Sequence, residues 1–358
     1  MLRRGIFVLR NTATSEAAMN STVTQKEIAH KLGVSPGMVG RALRNDPAYS
    51  AQTRERIQNI AREMGYHQGL NQGARQMASR RHGRRAQHGM IGLLPMAQGS
   101  DDLPYYAHLQ QGILRAAHLA DFDVLTLNPT PSAGWERVDG LIVHGEVDDE
   151  RFSQMALPMP YVGLMRNRRD RWGVSADGAD GTRRAVQHLL ELGHRNIGFL
   201  GSLEVATVNQ RIHAYRKALT AGGVAVNPLH QWMLWDHGPM EKSGRFSMES
   251  WLQSNFHELK LTALLVQNDR AAIGAMSVLQ KSGYGVPDDI SVIGFDSTDE
   301  CELSTPRLTS VRVPLELIGA RAVELLLMQI REGEEELEPQ NLVLPVDLEI
   351  RDSCCAAA

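Results

Sequence analysis

The sequence predicts a small all-α head followed by a larger α/β body, built as two lobes around parallel sheets. Three observations carry this. Charge is divided unevenly along the 358 residues: residues 1–88 hold 15 Lys+Arg against 5 Asp+Glu, and the remainder holds 23 against 36. Residues 23–64 fall into three short amphipathic segments separated by turn signals. From residue 89 onward, near-continuous apolar strands alternate with helical stretches, as in parallel sheets covered on both faces. A basic head on an acidic body points the head toward nucleic acid. No run approaches the roughly 18 apolar residues of a membrane span. The apolar core of MLRRGIFVLR is too short for a secretory signal. Three cysteines, Cys301, Cys354 and Cys355, suit a reducing compartment without a disulfide framework, so a cytoplasmic protein is expected. Nothing has metal-ligand spacing and no cofactor is implied.

Residues 1–20 read as a disordered extension, with Met19 as an alternative start. Thr24 caps the first helix, and Glu27 stands at the capping-box position. Ile28 and Leu32 form its inward stripe. Gly33 supplies the turn and Val34 plugs it. Ser35 caps the second helix, and Pro36 takes its first position, where the missing N–H costs nothing. Val39, Ala42 and Leu43 face inward; Met38 and Arg41 face outward, with Gly40 a third candidate. Asn45-Asp46-Pro47 breaks the chain. Ser50 caps a third helix whose Ile57, Ile60, Ala61 and Met64 share a face, and Gly65 ends it. Three short helices with a basic rim make residues 21–67 a helix-turn-helix domain.

The stretch VTQKEIAHKLGVSPGMVGRALRNDPAYSAQTRERIQNIAREMGY resembles the DNA-binding headpiece of the LacI/GalR transcriptional regulators. The resemblance implies that the helix opened by Ser35 enters the major groove. It implies that Thr24, Ser35 and Arg54 contact phosphates, and that Pro36, Gly37 and Arg41 occupy base-reading positions. Lys26, Met38 and Arg44 complete the candidate contact set, Met38 and Pro36 as partners for thymine methyls. Arg is the usual reader of guanine O6 and N7. Gly37 lacks a side chain where the family often has a polar reader, and Gly40 stands where the family usually has Ser. Residues 68–88 form a hinge or linker. Within it Asn71, Ala74 and Arg75 keep the spacing of the family's hinge helix, and Met77 falls on the apolar wedge that enters the minor groove. The segment departs from the pattern by two extra residues and by Leu70 in place of a proline. Its glycines make a helix costly to order, so it is expected to order on DNA; the alternative is a plain flexible linker.

In the body, MIGLLP, DVLTL, GLIVHG, PYVGLM, NIGFLG, ALLVQ and SVIGFD read as strands. YAHLQQGILRAAHLA, GTRRAVQHLLELG, NQRIHAYRKALTAGG, RAAIGAMSVLQKSG and ELIGARAVELLLMQI read as helices. In such a fold ligands lie beyond the carboxyl ends of the strands. The segments VDGLIV, AVQHLLELGHRNIGFLG, NDRAAIGAMSVLQKSGYGVPDDISVIGFDS and PRLTSV extend the resemblance to about residue 352. It implies a periplasmic-binding-protein-like body whose chain crosses three times between lobes, near Ala176, Val313 and Leu342. The N-terminal lobe then holds 89–177 and 314–342, the C-terminal lobe 178–313 and 343–352, with 353–358 as a tail. A small-molecule effector sits between the lobes. Arg211, Asn268 and Asp296 fall on effector-contacting positions, and their donors and acceptors suit a sugar or polyol. Tyr105 and Tyr106 match an aromatic pair, one of which stacks on a sugar face or a purine. The structural alternatives are an Asp296 that braces a turn, an Arg211 in a surface ion pair, and tyrosines in ordinary core. Between DVLTL and VDGLIV only NPTPSAGWER intervenes, where the family has a helix of several turns. This lobe is expected to lack that helix or to reduce it, with Trp135 covering the sheet on the flank where family dimers pack.

The reading that follows is a dimeric repressor binding pseudo-palindromic operator DNA, with its operator affinity set by effector. The alternative is a solute-binding protein of the same body fold. An enzyme is not expected: no G-x-G-x-x-G follows the first strand, no phosphate loop is present, and no Ser/His/Asp set has a plausible context. The acids and histidine of GLIVHGEVDDE read as a solvated lobe edge.

Overall fold

The computed structural model describes residues 23–43, 46–64, 66, 88–95, 103–128, 134–144, 159–165, 171–202, 205–235, 238–332 and 337–357. These fall into two compact units that divide after His88.

The first unit is three helices around a small core. Helix α1 (Gln25–Leu32) opens on a complete capping box: Thr24 and Glu27 each satisfy the other's backbone N–H. Gly33 ends it at φ +66, a left-handed conformation that glycine adopts at no steric cost, so the chain can turn at once into α2 (Pro36–Leu43). Ser35 caps α2, its hydroxyl accepting from the Met38 N–H at 3.2 Å. Helix α3 (Ala51–Glu63) begins behind Ser50, whose hydroxyl accepts from the Thr53 N–H. Ile28, Ala29, Val39, Ala42, Ile57, Ala61 and Tyr66 make the core. Gly40 does not face outward. It is buried against Gln25, because the chain brings α1 across that side of α2. Arg44, Gly65, Asn71, Ala74, Arg75 and Met77 lie outside the described residues.

The second unit is a pair of six-stranded sheets. The first-lobe sheet takes β1 (Met90–Pro95), β2 (Asp123–Thr126), β3 (Gly140–His144), β4 (Tyr161–Leu164), β5 (Gly173–Ala176) and β11 (Asn341–Leu344). The second-lobe sheet takes β6 (Ile197–Gly201), β7 (Gln231–Met233), β8 (Ala263–Val266), β9 (Ser291–Asp296), β10 (Thr309–Arg312) and β12 (Asp347–Glu349). Their orders are β11-β5-β4-β3-β1-β2 and β12-β10-β9-β8-β6-β7, the same topology twice. Among the described strands, all pairings are parallel except β10–β12. The chain changes lobes after β5, after β10 and after β11. The last crossing, expected near Leu342, falls just after Leu344, because β11 pairs with β5 along its whole length, Leu344 lying opposite Ala176.

Helices α4 (Leu103–Leu119) and α11 (Leu315–Glu332) cover one face of the first sheet. Their backbones touch at Gly112 and Gly319, where any Cβ would strike the carbonyl of Glu316 or Leu109. The opposite face has no regular helix among the described residues. A single 3-10 turn, Trp135–Arg137, covers it. Trp135 is buried with Leu94, Leu127, Val138, Leu141, Val143 and Met159, and its indole N–H donates to the Asn128 carbonyl. The shortened crossover therefore lies on the face away from the α4–α11 pair.

The second sheet has helices on both faces. Helices α5 (Gly178–Glu191) and α6 (Ala206–Ala221) pack on one side. Helices α7 (Met240–Gln253), α8 (Phe256–Leu259) and α9 (Asp269–Lys281) pack on the other, where Gly244 and Gly274 bring α7 and α9 into backbone contact. The short α10 (Glu300–Leu303) follows β9. The segment after residue 352 is not a free tail. Buried Ser353 accepts from the Thr309 N–H and donates to the Val292 carbonyl, and His194 bonds the Cys355 carbonyl. All three cysteines are free thiols. No helix among the described residues is long and apolar enough to cross a membrane.

Candidate functional site

In the head, Ser35, Pro36, Gly37, Arg41 and Lys26 are exposed, while Thr24, Met38 and Arg54 are half-buried. A Cβ on Gly37 would meet nothing within 4 Å, so the first turn of α2 presents bare backbone. Helix N-termini attract anions through their unpaired N–H groups and dipole. Besides Ser35, whose hydroxyl accepts from the Met38 N–H, Arg41 and Thr24 have partners. The Arg41 guanidinium lies 3.3 Å from Asp46, and the Thr24 hydroxyl is 3.0 Å from Glu27 within the capping box. Arg41 is exposed in this pair, and such surface pairs contribute little to stability.

In the body, the candidate residues gather at the carboxyl ends of both sheets. Tyr105 and Tyr106 stand on the first turn of α4, in edge-to-face contact at 5.6 Å. His144, the last residue of β3, sits 4.7 Å from Tyr106 and 5.8 Å from Tyr105. It is only 7% exposed, so the reading of this segment as a solvated edge fails at the histidine. Burial pulls its pKa down to about 4, which leaves a neutral imidazole at physiological pH. Its Nδ1 is buried without a hydrogen-bond partner.

The second lobe supplies the charged side. Arg211, on α6, is not a surface ion pair. Its guanidinium carbon lies 3.5 Å above the Phe295 ring, and Nη1 donates to the Gln267 carbonyl at 2.7 Å. Its Nε is buried and has no hydrogen-bond partner. Burial lowers the Arg211 pKa from its ordinary value; Asp296, Tyr105 and Asp269 act electrostatically in the other direction. Tyr105 belongs to the first lobe, so Arg211 lies within electrostatic range of a residue from the opposite lobe. Asn268 caps α9, its Oδ1 accepting from the Ala271 N–H at 2.9 Å. That cap uses one of the two acceptor lone pairs on its side-chain oxygen.

Asp296 ends β9 at φ +108, and Ser297 follows at φ +55. Left-handed backbone at a residue with a side chain costs about 1–3 kcal/mol and persists where surrounding structure imposes it. Here Asp269 does part of this: its carboxylate accepts from the Thr298 N–H at 2.8 Å and from the Ser310 hydroxyl. Burial raises the Asp269 pKa to about 6 against those bonds. Sequence reasoning missed His144, Asp269 and the Gln267 carbonyl. Only the strand-end position of His144 signalled that it could reach a cleft.

A helix-turn-helix unit and a periplasmic-binding-type body on one chain define a class of DNA-binding proteins. Two family models match: "Bacterial regulatory proteins, lacI family" over residues 24–68 and "Periplasmic binding protein-like domain" over residues 186–354. The chain is similar to the HTH-type transcriptional repressor MelR of Bacillus subtilis (strain 168), at 29% identity over 93% of this chain and 98% of that one. It is similar in structure to the lac repressor dimer bound to operator and the anti-inducer ONPF, with TM-score 0.69, 27% identity, and 94% and 100% coverage. A transcriptional regulator CelR–cellobiose complex is similar at TM-score 0.65 and 26% identity, covering 92% and 99%. The chain belongs to the LacI/GalR family of bacterial transcriptional regulators, which are DNA-binding proteins and not enzymes.

Proposed function

We propose that the chain is a cytoplasmic repressor that binds pseudo-palindromic operator DNA as a homodimer and is switched by a sugar or polyol held between its lobes. The convergence of Arg211, Asn268 and Asp296 with Tyr105, Tyr106 and His144 carries the ligand half of this reading. Arg211 Nε and the Asn268 amide donate, Asp296 accepts, and the aromatic corner offers a flat apolar wall to a sugar ring. Neutral His144 contributes one donor or acceptor without charge. The similar CelR complex contains cellobiose, which supports a sugar of that class.

For the DNA half, Ser35, Thr24, Lys26, Arg44 and Arg54 hold phosphates, while Pro36, Gly37, Met38 and Arg41 face the bases. Asn71, Ala74 and Met77 serve the hinge. Exposed Leu114, Leu317 and Phe246, on helices of both lobes, supply apolar surface for a second copy. Effector occupancy shifts the population of DNA-competent dimers. Selecting binding sites from random duplexes with the full chain tests this. An inverted repeat is expected, and absence of sequence preference at physiological salt overturns the reading. The solute-binding alternative uses the same body but leaves the helix-turn-helix unit without a role.

A further inference from the structure

We propose that Glu349 is a positioning residue that, together with Ser310, clamps the Asp296–Thr298 turn in its strained conformation and ties it to the strands at two lobe crossings. This rests on the reading of Asp296 as an effector ligand.

Ser297 is held at both ends. Its backbone N–H donates to the Ser310 hydroxyl at 3.1 Å, and its own hydroxyl donates to Glu349 Oε2 at 2.6 Å. Arg351 Nη2 donates to the same Ser297 oxygen at 3.1 Å and to Glu349 at 2.6 Å, so the serine both donates and accepts. The two clamping residues are neighbours by register: Glu349 lies directly opposite Ser310 in the antiparallel β10–β12 pair. That pair is the sole antiparallel one among the described strands, and it places Glu349 against the turn.

The clamp also reaches the crossings. Arg312, the last residue of β10 before the chain returns to the first lobe, lies 3.3 Å from Glu349 Oε1. The Asp296 carbonyl accepts from the N–H of Val313, inside that crossing. Glu349 itself ends the strand that follows the third crossing. A rotation of the lobes about these segments thus pulls on the residue pair that carries Asp296. A ligand that fixes Asp296 fixes the crossings in return, since coupling between two equilibria is reciprocal. The consecutive positive φ values at two residues with side chains need such an external restraint to persist.

The test compares the full chain with E349A and E349Q by hydrogen exchange resolved on the 296–299 segment. E349A is expected to speed exchange there about tenfold, while β9 and β10 keep their protection. E349Q retains an acceptor for the Ser297 hydroxyl and is expected to recover most of the protection. Unchanged exchange in E349A overturns the proposal. So does equal acceleration across β9, β10 and β12, which would make Glu349 a general support of the lobe. Cellobiose separates the two claims. Protection of the turn by cellobiose in the wild type, lost in both D296A and E349A, supports the clamp and the ligand site together. Equal protection in the wild type and D296A overturns Asp296 as ligand and leaves the exchange result to judge the clamp.

Discussion

The two lobes of the body share one strand order and one way of pairing helices, yet they close their sheets differently. Each brings two helices into backbone contact through facing glycines, Gly112 with Gly319 and Gly244 with Gly274. After its edge strand, the second lobe spends residues 234–262 on a crossover containing α7 and α8. The first lobe spends only residues 127–139, whose described part holds a single 3-10 turn. Parallel crossovers usually need a dozen or more residues and a helix to shield the sheet. Among the described residues here, the Trp135 indole covers the sheet together with Leu127, Val138 and Met159. The comparison teaches that a crossover requires apolar cover for its sheet, to which a buried tryptophan on a short turn contributes where the other lobe uses helices.

The strongest way to break this comparison is Trp135→Ala. A buried tryptophan truncated to alanine costs about 3–5 kcal/mol, and among the described residues only a 3-10 turn lies on that face of the first lobe. Denaturant unfolding should show the loss, and limited proteolysis should cut the first lobe before the second. A cost under about 1 kcal/mol would mean that the indole is not the cover.

A pH titration sharpens the contrast, because the first lobe buries a histidine at its site. His144 has a folded pKa of about 4 against an ordinary value of 6.5. Between these values the unfolded chain binds the proton and the native chain does not. Native stability is therefore full above pH 6.5 and falls as pH drops toward 4, by up to about 3 kcal/mol from this group. His144→Asn should flatten that part of the profile in thermal melts. A slope unaltered by the substitution would place the titrating group elsewhere.

The smallest expected effect tests what the lobes share. Gly112→Ala and Gly244→Ala each push a methyl against a backbone carbonyl, which cannot yield as a side chain can. Each should cost about 1–3 kcal/mol by overpacking, with similar values in both lobes. A neutral outcome in one lobe alone would show that its helix pair has slack the other lacks.

Much of the fold was legible because local signals agreed with the global result. The capping box at Thr24 and Glu27, the turn at Gly33 and the serine caps at Ser35 and Ser50 all form as the residues dictate. What escaped notice was short or disguised. Strand β12 is three residues with one apolar side chain, and β7 is three residues at a sheet edge. Helix α7 was not read at all: MEKSGRFSMESWLQ places Gly244 and two serines on its buried face, so close backbone packing hides the apolar stripe.

The candidate site divides the same way. Arg211, Asn268 and Asp296 could be named from the sequence and do converge at strand ends. His144 was obscured by the acidic residues that follow it, since its burial comes from tyrosines on a different element. Glu349 could not be read, because its role depends on a register that only the paired strands reveal.

The central claim, a DNA-binding protein switched through the cleft between its lobes, is tested most directly by one titration. The full chain is bound to its selected inverted repeat, and sugars including cellobiose are added while fluorescence anisotropy reports the bound fraction. The account predicts that a sugar changes operator affinity in the wild type, and that D296A binds the repeat normally but no longer responds. A D296A protein that still responds fully would contradict it.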